Sequence, residues 1–278
     1  MHLYTNQEEQ FILDNYPIYG ATYCAKHLNK SYGSIIVKAK RMGIKNTSKI
    51  KHPSLQNINP ELFWNITSPE IAYFLGFFWA DGYIRNYISK KGINNYKISL
   101  EIVSDDYKDL KFIFDKLGKW AIHFRKRKDS WKETATISTN SKDIYNFLHS
   151  HDFTEKSLQE PTKILEKIPK HLHLYFWRGF FDGDGCISLY GENSQRATIK
   201  FSGQKNYKWK ELTTYINSIG VEIFSIYSTT DKKNHGSSGF VIQNKKDVNI
   251  LISYLLKSEL GLARKTEKMK IFQNNIIL

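Results

Sequence analysis

The sequence is poor in several features that mark common classes of protein. It holds two cysteines, Cys24 and Cys186, at no ligand spacing, so neither a disulfide framework nor a zinc site is indicated. The longest apolar run, Ile71 to Ala80, is too short to span a bilayer, and the polar start lacks the apolar core of a signal peptide. These absences predict a soluble, unprocessed protein of the reducing cytoplasm, with no membrane partner.

Acidic residues are also scarce. The chain has 41 Lys and Arg against 27 Asp and Glu, a formal net charge of +14 and a pI near 9.5. No acid occurs between Asn15 and Pro60, while eight basic residues lie between Lys26 and Lys51. This excess favours a polyanionic partner bound through its phosphates. Charge alone does not separate DNA from RNA, but 41% hydrophobic residues are ample for a packed core and exclude a disordered basic tail.

What the chain does contain is a duplicated ten-residue stretch. FLGFFWADGY and WRGFFDGDGC place Asp81 and Asp184 at matching positions. Each stretch is apolar and aromatic up to its acid, which predicts a buried helix stopped by a left-handed Gly82 or Gly185. A carboxylate there meets the negative end of the helix dipole, and two together repel each other. A bound divalent cation would remove both penalties.

Small residues also mark each stretch at a spacing of one helical turn. They are Gly76, Ala80, Gly179 and Gly183. Such stripes let two helix backbones approach closely. Two helices touching along them would bring the two carboxylates side by side.

With these motifs the chain resembles the LAGLIDADG homing endonucleases in their single-chain, two-motif form. The resemblance implies an α+β fold of two pseudo-symmetric αββαββα repeats that form a DNA-binding saddle. It also implies a site-specific double-strand DNA endonuclease that leaves a staggered cut. The metal ligands that it implies are Asp81, Asp184, Ala80 and Gly183. One departure is that the first acidic position of the motif holds Asp182 in the second copy but Trp79 in the first.

Further site residues follow from the same resemblance. A basic residue late in each half corresponds to Lys156 and Lys265, and a polar or acidic companion after the following strands corresponds to Asp105 and Gln204. A cation near the attacking water would favour hydroxide and stabilise the pentacoordinate phosphate. Oxygen ligands that work together with phosphate favour magnesium, in two or three ions shared by the motif helices.

The repeat continues beyond the motifs. A helix ended by Gly118 and followed by a strand has its counterpart at Gly220, and each helix is preceded by a strand and a polar turn. The order in each half is therefore helix, strands, helix, strand, strand, helices. This order predicts repeats over residues 67–168 and 169–278, each with an antiparallel sheet covered on one face.

The uncovered sheet faces suit DNA. Trp120, Ile122 and Phe124 alternate with a set that holds His123, Arg125 and Arg127, so the apolar set is expected to face the core. In the second half, Ala197, Ile199 and Phe201 alternate in the same way with Arg196, Thr198 and Lys200. A solvated sheet face explains any single strand as well, but several such strands in a basic chain favour nucleic acid. The residues expected to bind DNA here are Arg85, His123, Arg125, Arg127, Arg196, Thr198, Lys200 and Tyr227.

The first 46 residues predict a small all-α helix-turn-helix domain. Three helical patterns cover Asn6 to Asn15, Ala21 to Leu28 and Tyr32 to Met42, with caps at Thr5 and Ser31. The segment resembles small Myb-like or resolvase-like domains. In the last helix one face is apolar, and the other is expected to read DNA through Ser34, Lys38 and Arg41. Residues 47–66 are expected to form a basic linker, and the residues expected to contact phosphates here are Lys45, Lys49 and Lys51.

The leading hypothesis is a monomeric, magnesium-dependent endonuclease acting on double-stranded DNA. Two alternatives stay open, a non-cleaving DNA-binding regulator with the same fold and an RNA maturase that assists intron splicing. RNA binding belongs only to the second. Intact acids in both motif copies argue against a degenerate regulator.

Overall fold

The computed structural model describes residues 4–45, 57–89, 92–230 and 236–276. The chain divides into two compact units, residues 1–55 and 56–278. Within the described ranges, no helix has the length and apolar character needed to cross a membrane.

The described residues of the first unit form two helices around a small core. They are α1 (Asn6–Leu28) and α2 (Tyr32–Arg41). The predicted capping box is present, because Thr5 and Glu8 exchange side-chain and backbone hydrogen bonds. α1 is broken at Gly20, whose φ of 74° suits glycine, so helical backbone lies on both sides as predicted although the first part runs past Asn15. The core residues are Ile12, Ala21, Cys24, Ile35 and Ala39.

The second unit begins with a short strand and helix and then the first repeat. Its elements are β1 (Asn57–Ile58), α3 (Glu61–Trp64), α4 (Pro69–Asp81), β2 (Gly82–Ile88), β3 (Asn94–Val103), α5 (Ser104–Leu117), β4 (Gly118–Lys119), β5 (Ala121–Arg125), β6 (Thr134–Thr139), α6 (Lys142–Ser150) and α7 (Thr162–Lys167). Four strands form an antiparallel sheet in the order β2-β3-β6-β5, and β1 pairs with β4.

The second repeat has the same order of elements. They are α8 (His173–Asp184), β7 (Gly185–Tyr190), β8 (Arg196–Gln204), α9 (Lys210–Ser218), β9 (Ser225–Thr230), β10 (Gly236–Ile242), α10 (Lys245–Leu255) and α11 (Ala263–Ile276). The sheet order is β7-β8-β10-β9, again antiparallel. The predicted α+β architecture of two repeats is confirmed.

The two motif helices, α4 and α8, cross through their stripes of small residues. A Cβ added at Gly76 would lie 1.8 Å from the carbonyl oxygen of Phe176, and one at Gly179 would lie 2.1 Å from that of Tyr73. One at Gly183 would lie 2.3 Å from the Cβ of Ala80. The backbones are therefore in direct contact, and the predicted helix pairing is confirmed.

The expectation of left-handed glycines after the motifs is wrong. Gly82 has a φ of −68° and Gly185 one of −84°, both extended, and the chain passes directly from each helix into a strand. Glycine is needed for space, because a Cβ would lie 2.4 Å from the ring of Phe78 or 2.3 Å from that of Phe181.

Two expectations about the connecting segments also need correction. The end of the expected linker belongs to the folded second unit, since Ile58, Phe63 and Ile66 are buried in its core. The remainder of that linker, with Lys49 and Lys51, lies outside the described residues. The polar turn expected after β3 is the first turn of α5, which starts at Ser104 directly after the strand.

The sheet faces follow the predicted alternation except at the edges. Ala197, Ile199 and Phe201 are buried as predicted. Ile122 is 40% exposed and Phe124 is 48% exposed, although their partners on β6 are buried. They point to the core side, but β5 is an edge strand with a neighbouring strand on one side only.

Candidate active site

The two motif helices end at the carboxylates, and these share one site. α4 stops at Asp81 and α8 at Asp184. A Cβ on Gly183, the residue before the second carboxylate, would lie 3.3 Å from Asp81 Oδ2. Asp81 is exposed and Asp184 is half-buried. The site is therefore a pair of accessible oxygen ligands contributed by both repeats.

The surroundings disfavour the ionised form of both carboxylates. Loss of solvation, followed by the charge of Asp81, raises the pKa of Asp184 to about 6. Loss of solvation also raises the pKa of Asp81, against the lowering effect of Lys156 and Lys265. A divalent cation would relieve this crowding of negative charge, and oxygen donors fit magnesium. Within the described part of the chain, no group of three or more His, Cys, Asp or Glu residues forms a metal cluster, so any further ligands would come from backbone, water or DNA.

Each motif helix is capped at its C-terminus by a lysine from late in its own repeat. The Nζ of Lys156 donates to the carbonyls of Trp79 (2.7 Å) and Ala80. The Nζ of Lys265 donates to the carbonyls of Phe181 and Asp182, both at 2.7 Å, and of Gly185. The two cations oppose the negative ends of the helix dipoles beside the carboxylates.

Burial lowers the pKa of each capping lysine to about 8, against the raising effect of nearby aspartates. For Lys156 the stronger of these aspartates is Asp184, from the other repeat. For Lys265, Asp81 from the other repeat contributes alongside Asp182. Charges of the two repeats are therefore coupled across the helix pair.

A cavity of about 360 Å³ opens beside Asp184, and its polar lining includes Lys156, Gln204 and Tyr207. We call these four residues the Gln204 centre. Lys156 comes from the first repeat and the other three from the second. The sequence did not single out Tyr207, which follows the predicted SGQK segment by two residues.

The corresponding position in the first repeat is not Asp105. Gly82 pairs with Leu100 as Gly185 pairs with Phe201, so the residue matching Gln204 is Val103. Asp105 is exposed on α5 and pairs with Lys108 at 3.0 Å. The expected correspondence between Asp105 and Gln204 is therefore wrong by two residues.

The first turn of α5 also holds Asp106, next to Asp105. Asp106 is buried and accepts two hydrogen bonds from Arg264, from Nε at 2.8 Å and from Nη2 at 3.0 Å. The charge of Asp106 raises the pKa of Asp81, and the charge of Arg264 lowers it. We call Asp81, Lys265, Asp106 and Arg264 the Asp106 centre.

The unequal first acidic positions of the motif have different surroundings. Trp79 is buried, and its Nε1 donates to the hydroxyl of Tyr207 at 3.2 Å. Asp182 is buried and accepts from the Tyr73 hydroxyl (2.8 Å), Arg178 Nε (2.9 Å) and the Leu262 backbone N–H (3.1 Å). The asymmetry noted in the sequence thus becomes a tryptophan contact in one repeat and a buried ion pair in the other.

Most residues predicted to bind DNA in the repeats lie on the uncovered sheet faces. His123 and Arg125 are exposed on β5. Lys200 packs over the ring of Tyr227 at 5.0 Å. Arg127 differs, because it lies beyond β5 and its guanidinium binds both carboxylate oxygens of Glu101, at 2.7 and 2.9 Å. Arg127 is therefore paired with an acidic residue of the protein itself. The other predicted residues on these strands are Arg85, Arg196 and Thr198.

In the first unit, α2 exposes a different face from the predicted one. The Ser34 hydroxyl bonds to the hydroxyl of Tyr4 at 2.6 Å, and Lys38 forms an ion pair with Glu9. Arg41 and Lys45 are exposed as expected. The face of α2 that is exposed also contains four residues that the sequence analysis did not predict, Tyr32, Gly33, Val37 and Lys40.

Known proteins resemble this chain in sequence and in fold. Residues 177–275 match the LAGLIDADG endonuclease family. A DNA polymerase of Methanocaldococcus jannaschii is 26% identical over 193 residues, which are 65% of this chain and 10% of that protein. The chain thus spans a tenth of the length of this curated relative.

Two solved structures resemble the fold. The LAGLIDADG meganuclease I-AabMI bound to uncleaved DNA has a TM-score of 0.51 and 14% identity, over 76% of this chain and 91% of that chain. The LAGLIDADG meganuclease I-CpaMI bound to uncleaved DNA has a TM-score of 0.51 and 15% identity, with the same coverage.

Fold and site together define an α+β protein of two repeats joined at one acidic centre. The family match lies in the second repeat, and the likeness in fold covers more of the chain than either repeat alone. The chain is therefore similar to LAGLIDADG endonucleases in the sequence of its second repeat and in its fold.

Proposed function

We propose that this protein is a site-specific double-strand DNA endonuclease of the homing type, which hydrolyses one phosphodiester bond on each strand and leaves a staggered cut. The observation that carries the proposal is the pair of carboxylates, Asp81 and Asp184, at the contacting ends of two motif helices. Two sheets whose uncovered faces carry basic residues, one in each repeat, support a DNA duplex as the substrate.

The metal would be held by the two carboxylates, with the backbone carbonyls of Ala80 and Gly183 as candidate further ligands. Magnesium, in two or three ions, would supply neutralisation of phosphate charge and a more acidic bound water. The chain itself supplies the lysine caps, which hold the helix ends in place, and polar groups beside the phosphate. Lys156 and Lys265 can also stabilise charge that develops on the phosphate.

Hydrolysis of a phosphodiester consumes only water and needs no oxidant or reductant. The oxygen of water forms a bond to phosphorus, the bond between phosphorus and one ester oxygen breaks, and the leaving oxygen takes up a proton. In the Gln204 centre, the amide of Gln204 both donates and accepts hydrogen bonds and can orient such a water.

We further propose that the first unit binds DNA beside the cleavage site, with the protein acting as a monomer. α2 presents Lys40 and Arg41 on its exposed face, and Lys45 follows. A tethered second module raises affinity through effective concentration and leaves the chemistry of cleavage unchanged.

A cleavage selection tests this function. The full chain is incubated with a plasmid library of randomised inserts, with magnesium or with EDTA, and the cut ends are sequenced. Enrichment of one sequence family only with magnesium is expected. DNA binding without cleavage would support a non-cleaving regulator instead, and binding confined to structured intron RNA would support a maturase.

A further inference from the structure

The start of α11 is held by carboxylates from both repeats. The backbone N–H of Leu262 donates to Asp182 at 3.1 Å, and that of Ala263 donates to Asp109 Oδ2 at 2.9 Å. Asp182 lies on α8 of the same repeat, whereas Asp109 lies on α5 of the first repeat. N–H groups at a helix start lack partners within the helix and carry the positive end of its dipole, so carboxylates are strong acceptors for them. Both repeats therefore fix where α11 begins.

This start carries Lys265, two residues after Ala263. Lys265 is 4% exposed, and its Nζ donates to three carbonyls around the end of α8. A lysine side chain has many rotamers, so holding its amine in one place requires a fixed backbone beneath it. Arg264 adds an ion pair with Asp106 of α5, but its side chain is 56% exposed, and ion pairs open to solvent contribute little. Asp109 is the more direct restraint, because it binds the backbone of α11 itself.

Lys156 is held in an equivalent way, with the repeats exchanged. The turn that carries it is closed by two backbone hydrogen bonds to the carbonyl of Glu155, of 2.8 and 3.0 Å. Directly after this turn, Glu160 Oε1 accepts the backbone N–H of Glu211 at 2.9 Å, and Glu211 Oε1 accepts the hydroxyl of Thr162 at 2.8 Å. Glu211 lies at the start of α9, the helix that follows the second strand of its sheet as α5 does in the first repeat. Each lysine segment therefore contacts that helix of the opposite repeat.

We propose that each capping lysine is positioned by the opposite repeat, with an effect on cleavage that rests on the proposed nuclease function. Asp109 of α5 positions Lys265, and the contact between Glu160 and α9 positions Lys156. Asp109 and Glu160 are positioning residues, because they act through the lysines. A displacement of about 1 Å in a group that stabilises the transition state can lower the rate about a hundredfold.

The first measurement is the single-turnover rate of cleavage of the selected site by the full chain with magnesium. Asp109→Ala removes the acceptor for the N–H of Ala263 and should lower this rate by about tenfold or more, with DNA affinity near the wild-type value. Asp109→Asn keeps an acceptor oxygen in the same place and should restore most of the rate. Glu160→Ala and Glu160→Gln should differ from each other in the same way.

The second measurement locates the displaced lysine without using cleavage. The full chain, without DNA, is treated with an amine-acetylating reagent, and the modified lysines are quantified by mass spectrometry. Both capping amines are bonded to carbonyls in the wild type and should react slowly. Asp109→Ala should raise acetylation of Lys265 severalfold and leave Lys156 unchanged, whereas Glu160→Ala should do the reverse.

Asp115→Ala is the matched control, because its carboxylate is also on α5 but pairs with Lys111 of the same helix. It should keep the wild-type rate and the wild-type acetylation of both capping lysines. Circular dichroism melts of all variants set the assay temperature below the lowest transition, so that loss of rate is separated from loss of folding.

A wild-type cleavage rate in Asp109→Ala would overturn the inference, as would an Asp109→Asn variant that cuts as slowly as Asp109→Ala. Equal increases in acetylation at both capping lysines would also overturn it, since the contacts would then stabilise the fold in general. Absence of cleavage by the wild type at any sequence would instead refute the nuclease function, and acetylation would still test how the lysines are placed.

Discussion

At the scale of single residues, the two carboxylates are placed where the protein alone stabilises them poorly. Each sits at the negative end of a helix dipole, beside the other, and has lost part of its solvation. Lys156 and Lys265 offset this only in part, because they are committed to backbone carbonyls. The two carboxylates that suit a metal therefore lower the stability of the folded protein when no metal is bound.

This cost predicts a pH-dependent effect of removing one carboxylate. The pKa of Asp184 is raised to about 6 from 3.8, so the folded state binds more protons between these values. The ionised form therefore lowers stability as pH rises through this window, and the loss is complete above pH 6. Asp184→Asn should raise the free energy of unfolding at pH 7.5 in EDTA by about 1–3 kcal/mol, with little change near pH 4.

Denaturant unfolding at the two pH values measures this effect. Asp105→Asn is the matched comparison, because hydrogen bonding to Lys108 lowers the pKa of the exposed Asp105 carboxyl, so no gain in stability at pH 7.5 is expected. A loss of stability in Asp184→Asn at pH 7.5 would show that the carboxylate stabilises the fold, contrary to this account.

The role of a residue could be predicted from the sequence where a motif marked it. The prediction was wrong where the role depends on contacts between distant parts of the chain. Asp81 and Asp184 follow from the repeated ending, but the mismatch of Asp105 arose because the sequence does not show where β3 gives way to α5. Lys38 and Arg127 were assigned to DNA, yet each has an acidic partner far along the chain, Glu9 or Glu101. Such ion pairs leave no local signal in the sequence.

At the scale of elements, the crossing of α4 and α8 determines the site. Helical spacing of small residues predicted this contact, because only a side chain without bulk lets backbones touch. The sequence could not predict the extended backbone of Gly82 and Gly185. A glycine directly after a helix can be required either for a left-handed cap or because a neighbouring side chain leaves no space for a Cβ. The rings of Phe78 and Phe181 that cause the crowding become adjacent only after folding.

Gly76→Ala tests the helix contact. The added Cβ would lie 1.8 Å from a backbone oxygen, which cannot move without separating the helices, so a loss of about 2 kcal/mol or more in unfolding free energy is expected. Gly33→Ala, in α2, is the control because nothing lies within 4 Å of its Cβ, and alanine there should be tolerated. Equal stability of Gly76→Ala and the wild type would mean that α4 and α8 are not in backbone contact.

The exposed face of α2 gives a second prediction at this scale. Arg41→Ala should weaken DNA binding and reduce the slope of log K against log salt by about 1, as expected for loss of one phosphate contact. Lys38→Ala should change binding less, because Lys38 is paired with Glu9. Fluorescence anisotropy over a salt series compares the two, and a larger effect from Lys38 would contradict the assignment of the face.

At the scale of the whole molecule, the two repeats share one fold but differ in the side chains around the two carboxylates. The order of elements and the antiparallel sheets could be predicted because alternation and helix stops recur in both halves. The inequality could not, since it depends on strand register and on contacts between repeats, such as the bond from Trp79 to Tyr207 and the pairing of Asp106 with Arg264. Symmetry provides the shared carboxylates, and its departures distinguish the two centres.

The central claim is that both carboxylates perform cleavage at one shared site. The most direct measurement compares Asp81→Asn and Asp184→Asn with the wild type for cleavage and binding of the selected DNA, with Asp115→Asn, an exposed residue of α5 paired with Lys111, as the matched control. Each site variant should bind DNA with near wild-type affinity and fail to produce linear product, while the control cuts normally. Full double-strand cleavage by either site variant would contradict the account.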